Sequence, residues 1–224
     1  MKDSSREFSS KTAPQVKICG MTDAAAAAIC VELGADALGF VFHEASPRHL
    51  TATAARGIVR TLPQRVVPVG VFVDQSGDEI AAIASEAGLR TAQLHGRGMP
   101  DVRPLRAAGL RIVRVLFDLA LPDPLPDVDA FLIECGRGVL PGGNAQPWDW
   151  AAAAGLIEKS PLPCGLAGGL AADNVAAALR ASGAAAADAS SSVESRPGIK
   201  DPARIRAFMA ALKTVEVPCQ GRVF

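Results

Sequence analysis

The sequence predicts a single (β/α)8 TIM barrel, and three observations carry that reading. Short β-branched runs alternate with alanine-rich stretches of helical character, and the unit recurs eight times within the 224 residues, the number that closes a barrel. Glycines stand where several of the helices should stop, as at Gly34 and Gly88, positions where a left-handed residue ends a helix. No linker-like composition shift or internal sequence repeat divides the chain, and barrels of little more than 200 residues commonly form one domain. An open doubly wound sheet is the alternative, since periodicity alone does not establish closure.

Taken in order, Val16-Lys17-Ile18-Cys19 forms the first strand and Gly20 ends it. Thr22 or Asp23 can cap the helix that follows, which runs to about Leu33. The second strand covers 36–42 and its helix 51–61; the third strand covers 66–73 and its helix 78–87. A fourth strand over 92–95 precedes a short helix near 102–108, and a fifth covers 110–117. The crossover at 118–128 holds three prolines and should not form a long helix. The sixth strand is 130–134 with a helix at 150–159, and the seventh is 164–167 with a helix at 173–181. The eighth, 185–189, is alanine-rich and therefore weak in strand propensity; the last helix, 202–213, opens on Pro202. The Pro/Gly-rich stretch 136–147 is too long for a tight connection and reads as a mobile loop at the catalytic face.

Composition narrows the function. The 23 basic residues balance 23 acidic ones, without a basic cluster, so the electrostatic footprint of a nucleic-acid binder is missing and a small-molecule partner is favoured. No apolar run approaches the ~20 residues of a membrane helix; the longest, 24–31, is stopped by Glu32. Residues 1–14 are polar, lack the apolar stretch of a signal peptide, and read as a disordered extension before a barrel over 15–214 and a tail over 215–224. Five cysteines (19, 30, 135, 164, 219) are scattered, odd in number and without CxxC spacing. That argues against a disulfide framework or zinc site and for a reducing, cytoplasmic setting. No feature specifies an oligomeric state.

Barrel enzymes carry their chemistry at the C-terminal ends of the strands. That geometry selects Cys19, the loop Ser46-Pro47-Arg48, His95, Glu134, Gly168-Gly169, and Asp188 through Ser192. Gly168-Gly169 after strand seven and Ser190-Ser191-Ser192 after strand eight can offer backbone N–H groups and hydroxyls to one anion, the place where barrels often hold a phosphate. Cys19 should reach the barrel mouth, and Lys17, two residues earlier on the same face, should favour its thiolate; a buried structural cysteine is the alternative, and suits Cys30 and Cys164. Arg48 is either an ordinary surface arginine or a bidentate clamp for a carboxylate. His95 is either a polar partner or a packed histidine. A carboxyl group at Glu134, across the mouth from Cys19, can act as a general acid when burial favours its protonated form.

Together these stretches resemble phosphoribosylanthranilate isomerases. The resemblance rests on Lys17-Ile18-Cys19-Gly20, Gly34-Ala35-Asp36-Ala37-Leu38-Gly39-Phe40-Val41-Phe42, Ser46-Pro47-Arg48, Val69-Gly70-Val71-Phe72-Val73, Gln93-Leu94-His95-Gly96, Gly168-Gly169-Leu170 and Pro197-Gly198-Ile199-Lys200-Asp201, in order from residue 16 to about 213. It implies a tryptophan-pathway Amadori rearrangement of N-(5'-phosphoribosyl)anthranilate to the corresponding 1-deoxyribulose 5-phosphate, without metal or cofactor. It also implies roles: Cys19 as the base that takes the sugar C2 proton and the strand-six acid as the group that opens the furanose. Arg48 would bind the anthranilate carboxylate, Gly168, Gly169 and Ser190 to Ser192 the phosphate, and Asp188 would be a further polar residue of the site. The chain departs from the family pattern at Glu134 (Asp in the family), Ala145 (Gly), Gln146 (Lys), Ala167 (Ser) and Ser192 (Gly). Those departures motivate two other readings, a diverged paralogue acting on another aminated phosphosugar and a weakly active phosphosugar-binding barrel.

Overall fold

A computed structural model describes residues 10–134 and 148–224. Eight parallel strands close into a barrel: β1 (Gln15–Cys19), β2 (Ala37–Val41), β3 (Val67–Phe72), β4 (Thr91–Leu94), β5 (Arg111–Leu116), β6 (Ala130–Ile133), β7 (Cys164–Leu166) and β8 (Ala186–Ala189). Closure runs through β1 and β8, where Lys17 pairs in register with Asp188. The alanine-rich eighth strand forms because both of its edges are occupied, by β7 and by β1; pairing and burial outweigh its poor propensity.

Among the described residues seven α-helices surround the barrel: α1 (Ala24–Glu32), α2 (Ala52–Val59), α3 (Gly77–Ala87), α4 (Arg103–Ala107), α5 (Ala154–Lys159), α6 (Val175–Ser182) and α7 (Pro202–Leu212). Four of the starts carry a side-chain cap. Asp23 accepts the Ala26 N–H at the head of α1, and Ser76 with Glu79 makes a reciprocal capping box on α3. Gly88 and Gly183 stop α3 and α6 in the left-handed conformation. The helix expected over 150–159 begins as a 3-10 turn, Trp150–Ala153, before α5. The proline-bearing crossover between β5 and β6 carries no helix. Two carboxylates tie neighbouring strands at their entries: Asp36 Oδ2 accepts from the Val16 amide and Asp129 Oδ2 from the Ile112 amide.

Apolar residues form two main buried clusters. The larger lies between strands and helices and includes Ile18, Leu38, Phe40, Phe72, Ile112 and Phe131. The other fills the barrel interior with Ala37, Val69, Val113, Val115, Ala130 and Leu132, joined by Val223 and Phe224 from the end of the chain.

Both ends are packed differently from the expected boundaries at 14 and 215. Lys11–Thr12 pairs antiparallel with Val217–Pro218, and the Cys219 amide donates to Ser10 O. Ser10 to Thr12 are thus held by backbone bonds that composition does not announce, and the tail buries Val215, Val217, Val223 and Phe224. The loop expected over 136–147, together with Cys135, Ala145 and Gln146, lies outside the described residues. Among the described residues no helix is long and apolar enough to cross a membrane.

Candidate active site

A cavity of about 850 Å3, counting the space open at its mouth, lies at the C-terminal end of the barrel. The residues singled out from the sequence all line it: Cys19, Ser46, Pro47, Arg48, His95, Glu134, Gly168, Gly169, Asp188, Ala189, Ser190, Ser191 and Ser192. The barrel explains the convergence. Inward positions alternate along each strand, so Lys17 and Cys19 share one face of β1, and Asp188 stands beside Lys17 on β8.

Cys19 sits close against β2. A β-carbon at Gly39 would stand 2.7 Å from Cys19 Sγ and 3.1 Å from Lys17 Cε, so only glycine leaves room for both side chains. Lys17 is fully buried and its Nζ lies 2.6 Å from Asp188 Oδ2. Burial alone would lower the lysine; Asp188, and then Cys19, outweigh it and hold the ammonium above the ordinary lysine value. For Cys19 the balance falls the other way: burial pushes the thiol up, Lys17 opposes it, Asp188 adds to the rise and Lys200 lowers it. Lys17 does pull toward the thiolate, but desolvation exceeds that pull and holds the thiol above its ordinary value. Cys30 and Cys164 are buried thiols pushed up by desolvation to about 12 and about 11, as inert structural cysteines should be.

Arg48 is buried, not a surface side chain. Its Nε and Nη2 donate to Glu194 Oε1 and Oε2 at 2.8 and 2.7 Å, a bidentate pair. Lys200 Nζ also binds Glu194 Oε1 at 2.7 Å and Ser190 O at 3.1 Å. Burial pushes Glu194 up, but Arg48 and Lys200 outweigh it and hold the carboxyl below its usual range. Two cations on one carboxylate leave a local excess of one positive charge, a setting that attracts anions. The edge of Arg48 that carries Nη1 is the one not taken by Glu194.

His95 stacks edge-on against Phe117 at 5.1 Å between ring centroids, and neither ring nitrogen has a hydrogen-bond partner among the described residues. Burial first, then Lys17, Arg114 and His43, lowers it to about 4. It is neutral near pH 7, so its 3.8 Å approach to Glu134 Oε2 is a polar contact and not an ion pair. Arg114 donates to the carbonyls of Gly96, Arg97 and Gly98 and so shapes the loop after His95. Gly168 and Gly169 both have positive φ, 79° and 69°, a conformation that side chains resist. Trp148 Nε1 donates to Ala167 O, and Trp150 Nε1 to Gly168 O, tying this loop to the segment before α5. Ser192 lies inside a right-handed 3-10 turn, Ser191–Val193, so its β-carbon meets no left-handed strain; its Oγ is buried without a partner among the described residues.

Among the polar residues at the site, His43, Gln93, Glu194 and Lys200 were not picked out as site residues from the sequence. Gln93, on the same face of β4 as His95, lines the cavity with its Oε1 buried and unpartnered among the described residues; its place two residues before His95 was the available signal. Glu194 and Lys200 face each other across the short pair Glu194–Arg196 and Ile199–Lys200. The matched stretch Pro197-Gly198-Ile199-Lys200-Asp201 contains Lys200 but not Glu194.

Among the described residues no group of three or more His, Cys, Asp or Glu could hold a metal ion. The family model for N-(5'-phosphoribosyl)anthranilate isomerase matches residues 16–211. The enzyme of that name from Desulfatibacillum aliphaticivorans is 40% identical over 93% of this chain and 97% of its own length. The one from Paramagnetospirillum magneticum is 43% identical over 89% and 97%. The crystal structure of phosphoribosyl anthranilate isomerase from Thermus thermophilus superposes with a TM-score of 0.79 at 34% identity, covering 88% of this chain and 98% of that one. Another isomerase structure, in complex with reduced 1-(o-carboxyphenylamino)-1-deoxyribulose 5-phosphate, gives 0.72 at 30% identity, covering 89% and 98%. With its barrel, its cavity and these relatives, the chain belongs to the N-(5'-phosphoribosyl)anthranilate isomerase family, the isomerases of tryptophan biosynthesis.

Proposed function

We propose that Cys19 and Glu134 are the base and acid of this isomerisation, and that the surrounding polar groups bind the two ends of N-(5'-phosphoribosyl)anthranilate. The observation that carries this reading is a single cavity with Cys19 and Glu134 at the ends of β1 and β6, cationic Arg48 on one side and the paired loops after β7 and β8 on another. Arg48 takes the anthranilate carboxylate through its free edge. The phosphate lies against Gly168, Gly169 and Ser190 to Ser192, where backbone N–H groups and the Ser192 hydroxyl face it. Asp188 keeps Lys17 turned toward Cys19, and His95, neutral, offers a hydrogen bond to the sugar.

The steps balance without a cofactor. Glu134 delivers its proton to the furanose ring oxygen as the C1–O bond breaks, leaving an iminium between C1 and the anthranilate nitrogen. The Cys19 sulfur then removes the C2 proton, and the C–H electron pair becomes the C1=C2 bond of an enolamine. Ketonisation moves a proton to C1: C2 is oxidised to a ketone, C1 is reduced, and the total is unchanged. Before that step the thiol gives up its own proton to water, and the iminium joins Lys17 and Lys200 in supplying the positive charge that favours this loss.

One extra methylene distinguishes Glu134 from the family's aspartate and keeps the acid chemistry. Cytoplasmic placement follows from the scattered cysteines. Turnover of phosphoribosylanthranilate, measured beside binding of the reduced product analogue, tests the assignment: both are expected. Binding without turnover would point to a phosphosugar-binding barrel, and neither would point to another aminated phosphosugar.

A further inference from the structure

We propose that Phe224 is a positioning residue: with Val223 it forms the floor of the barrel beneath Lys17, excluding water from the Lys17–Asp188–Cys19 network and holding the lysine against its partners. This rests on the reading of Cys19 as the base.

The floor lies outside the stretch, 16–211, that the family model matches, and it is built from this chain's own contacts. The Phe224 ring stands 5.6 Å from Lys17 Nζ, centroid to nitrogen, within the range of a cation–π contact. Val223 and Phe224 are almost wholly buried, at 0% and 2% exposure. They fill space that barrels usually close with bulky branched side chains and that this one leaves open by placing Ala37, Ala130, Gly165 and Ala186 low in the barrel. A β-carbon at Gly165 would stand 3.1 Å from Leu132 Cδ1 and 3.4 Å from Val223 Cγ1. The backbone is anchored as deliberately as the side chains. Gln15 Oε1 accepts from the Val223 amide at 2.6 Å and the Phe224 amide at 3.3 Å, and Arg111 donates to the carbonyls of Val223 and Arg222. Gln220 bridges the Cys164 amide and Gly183 O.

The consequence reaches the chemistry through Lys17. The charged groups acting on Cys19 are Lys17, Asp188 and Lys200, and desolvation is the largest influence on it. Opening the floor admits water, loosens Lys17 and removes part of that desolvation.

The test is Phe224→Ala beside Phe224→Leu, which keeps an apolar floor, each checked for folding by circular dichroism. In Phe224→Ala, kcat should fall about tenfold with KM within about twofold, because the ligand-contacting groups lie at the other end of the barrel. The midpoint of Cys19 alkylation against pH should fall, because desolvation, the largest influence on the thiol, outweighs the opposing effect of a loosened Lys17. Phe224→Leu should restore both toward the parent. A folded Phe224→Ala with parental kcat and alkylation profile overturns the proposal, as does a purely thermal loss of stability. Should Phe224→Ala not fold, Gln15→Ala, which frees both amides of the floor, is read in the same way, and parental values there overturn it. Alkylation does not depend on Cys19 being the base, so failure of that assignment is recognised separately by turnover in Cys19→Ser.

Discussion

Lys17 and Asp188 face each other in register across the seam that closes the barrel, Nζ to Oδ2 at 2.6 Å, with 0% and 7% of their side chains exposed. The pair is structural and chemical at once. It satisfies two charges inside the barrel, and it fixes a cation two residues from Cys19 on the same face of β1.

Removing one member leaves the other as an unpaired buried charge, which costs about 3–5 kcal/mol. Lys17→Met should therefore lower stability by that amount in urea melts. Lys17→Met combined with Asp188→Leu should recover most of the loss, since a well-packed apolar pair replaces a buried ion pair at little cost. A double variant no more stable than the single would show that the pair's environment, not its charge, governs the loss.

The same substitution bears on the thiol. Lys17 is the main influence opposing the burial that raises Cys19, so the alkylation midpoint of Cys19 should move further up in Lys17→Met. An unchanged profile would remove Lys17 from the mechanism. In the parent, because the base must lose its proton and burial holds the thiol above its ordinary value, kcat/KM should still be rising with pH beyond about 8.5. A plateau reached near neutrality would contradict a thiol base that starts protonated.

Arg48 is oriented by Glu194 through two parallel hydrogen bonds. Lysine cannot reproduce that fork. Arg48→Lys should raise KM about tenfold or more, the loss of one charge-assisted hydrogen bond of roughly 1.5–3 kcal/mol, with a smaller effect on kcat. Steady-state kinetics at fixed ionic strength reads both. An unchanged KM would place the anthranilate carboxylate elsewhere.

His95 makes an acid-side prediction. Its value in the fold is about 4, against an ordinary 6.5 in the unfolded chain. The unfolded state therefore binds the proton first as pH falls, and stability is lost between about 6.5 and 4, amounting to about 3 kcal/mol. His95→Gln should flatten that part of the stability curve in urea midpoints taken at pH 7 and pH 4.5. An equally steep loss in the variant would assign the acid sensitivity to other groups.

The barrel was legible because each β-branched run is local and several helices carry their own cap or stop, as at Asp23, Ser76 and Gly88. Even the alanine-rich eighth strand was counted, although its stability comes from two neighbours. What sequence spacing does not carry is the pairing of distant charges. Arg48 meets Glu194 across 146 residues, and a lone arginine in a loop gives no sign of it. The floor under Lys17 is similar: Gln15 and Phe224 are at opposite ends of the described chain, so the final residues read as a tail. The pull of Lys17 on Cys19 was legible from their spacing, whereas the desolvation that exceeds it is set by everything packed around the thiol.

The central claim, that Cys19 removes the C2 proton and Glu134 opens the ring, is tested most directly by Cys19→Ser and Glu134→Gln. Each is assayed for conversion of phosphoribosylanthranilate and for binding of the reduced product analogue. Both variants should bind the analogue within about threefold of the parent, a loss of under 1 kcal/mol, while product formation disappears. Turnover retained in either variant, with the fold intact, would contradict the role assigned to that residue.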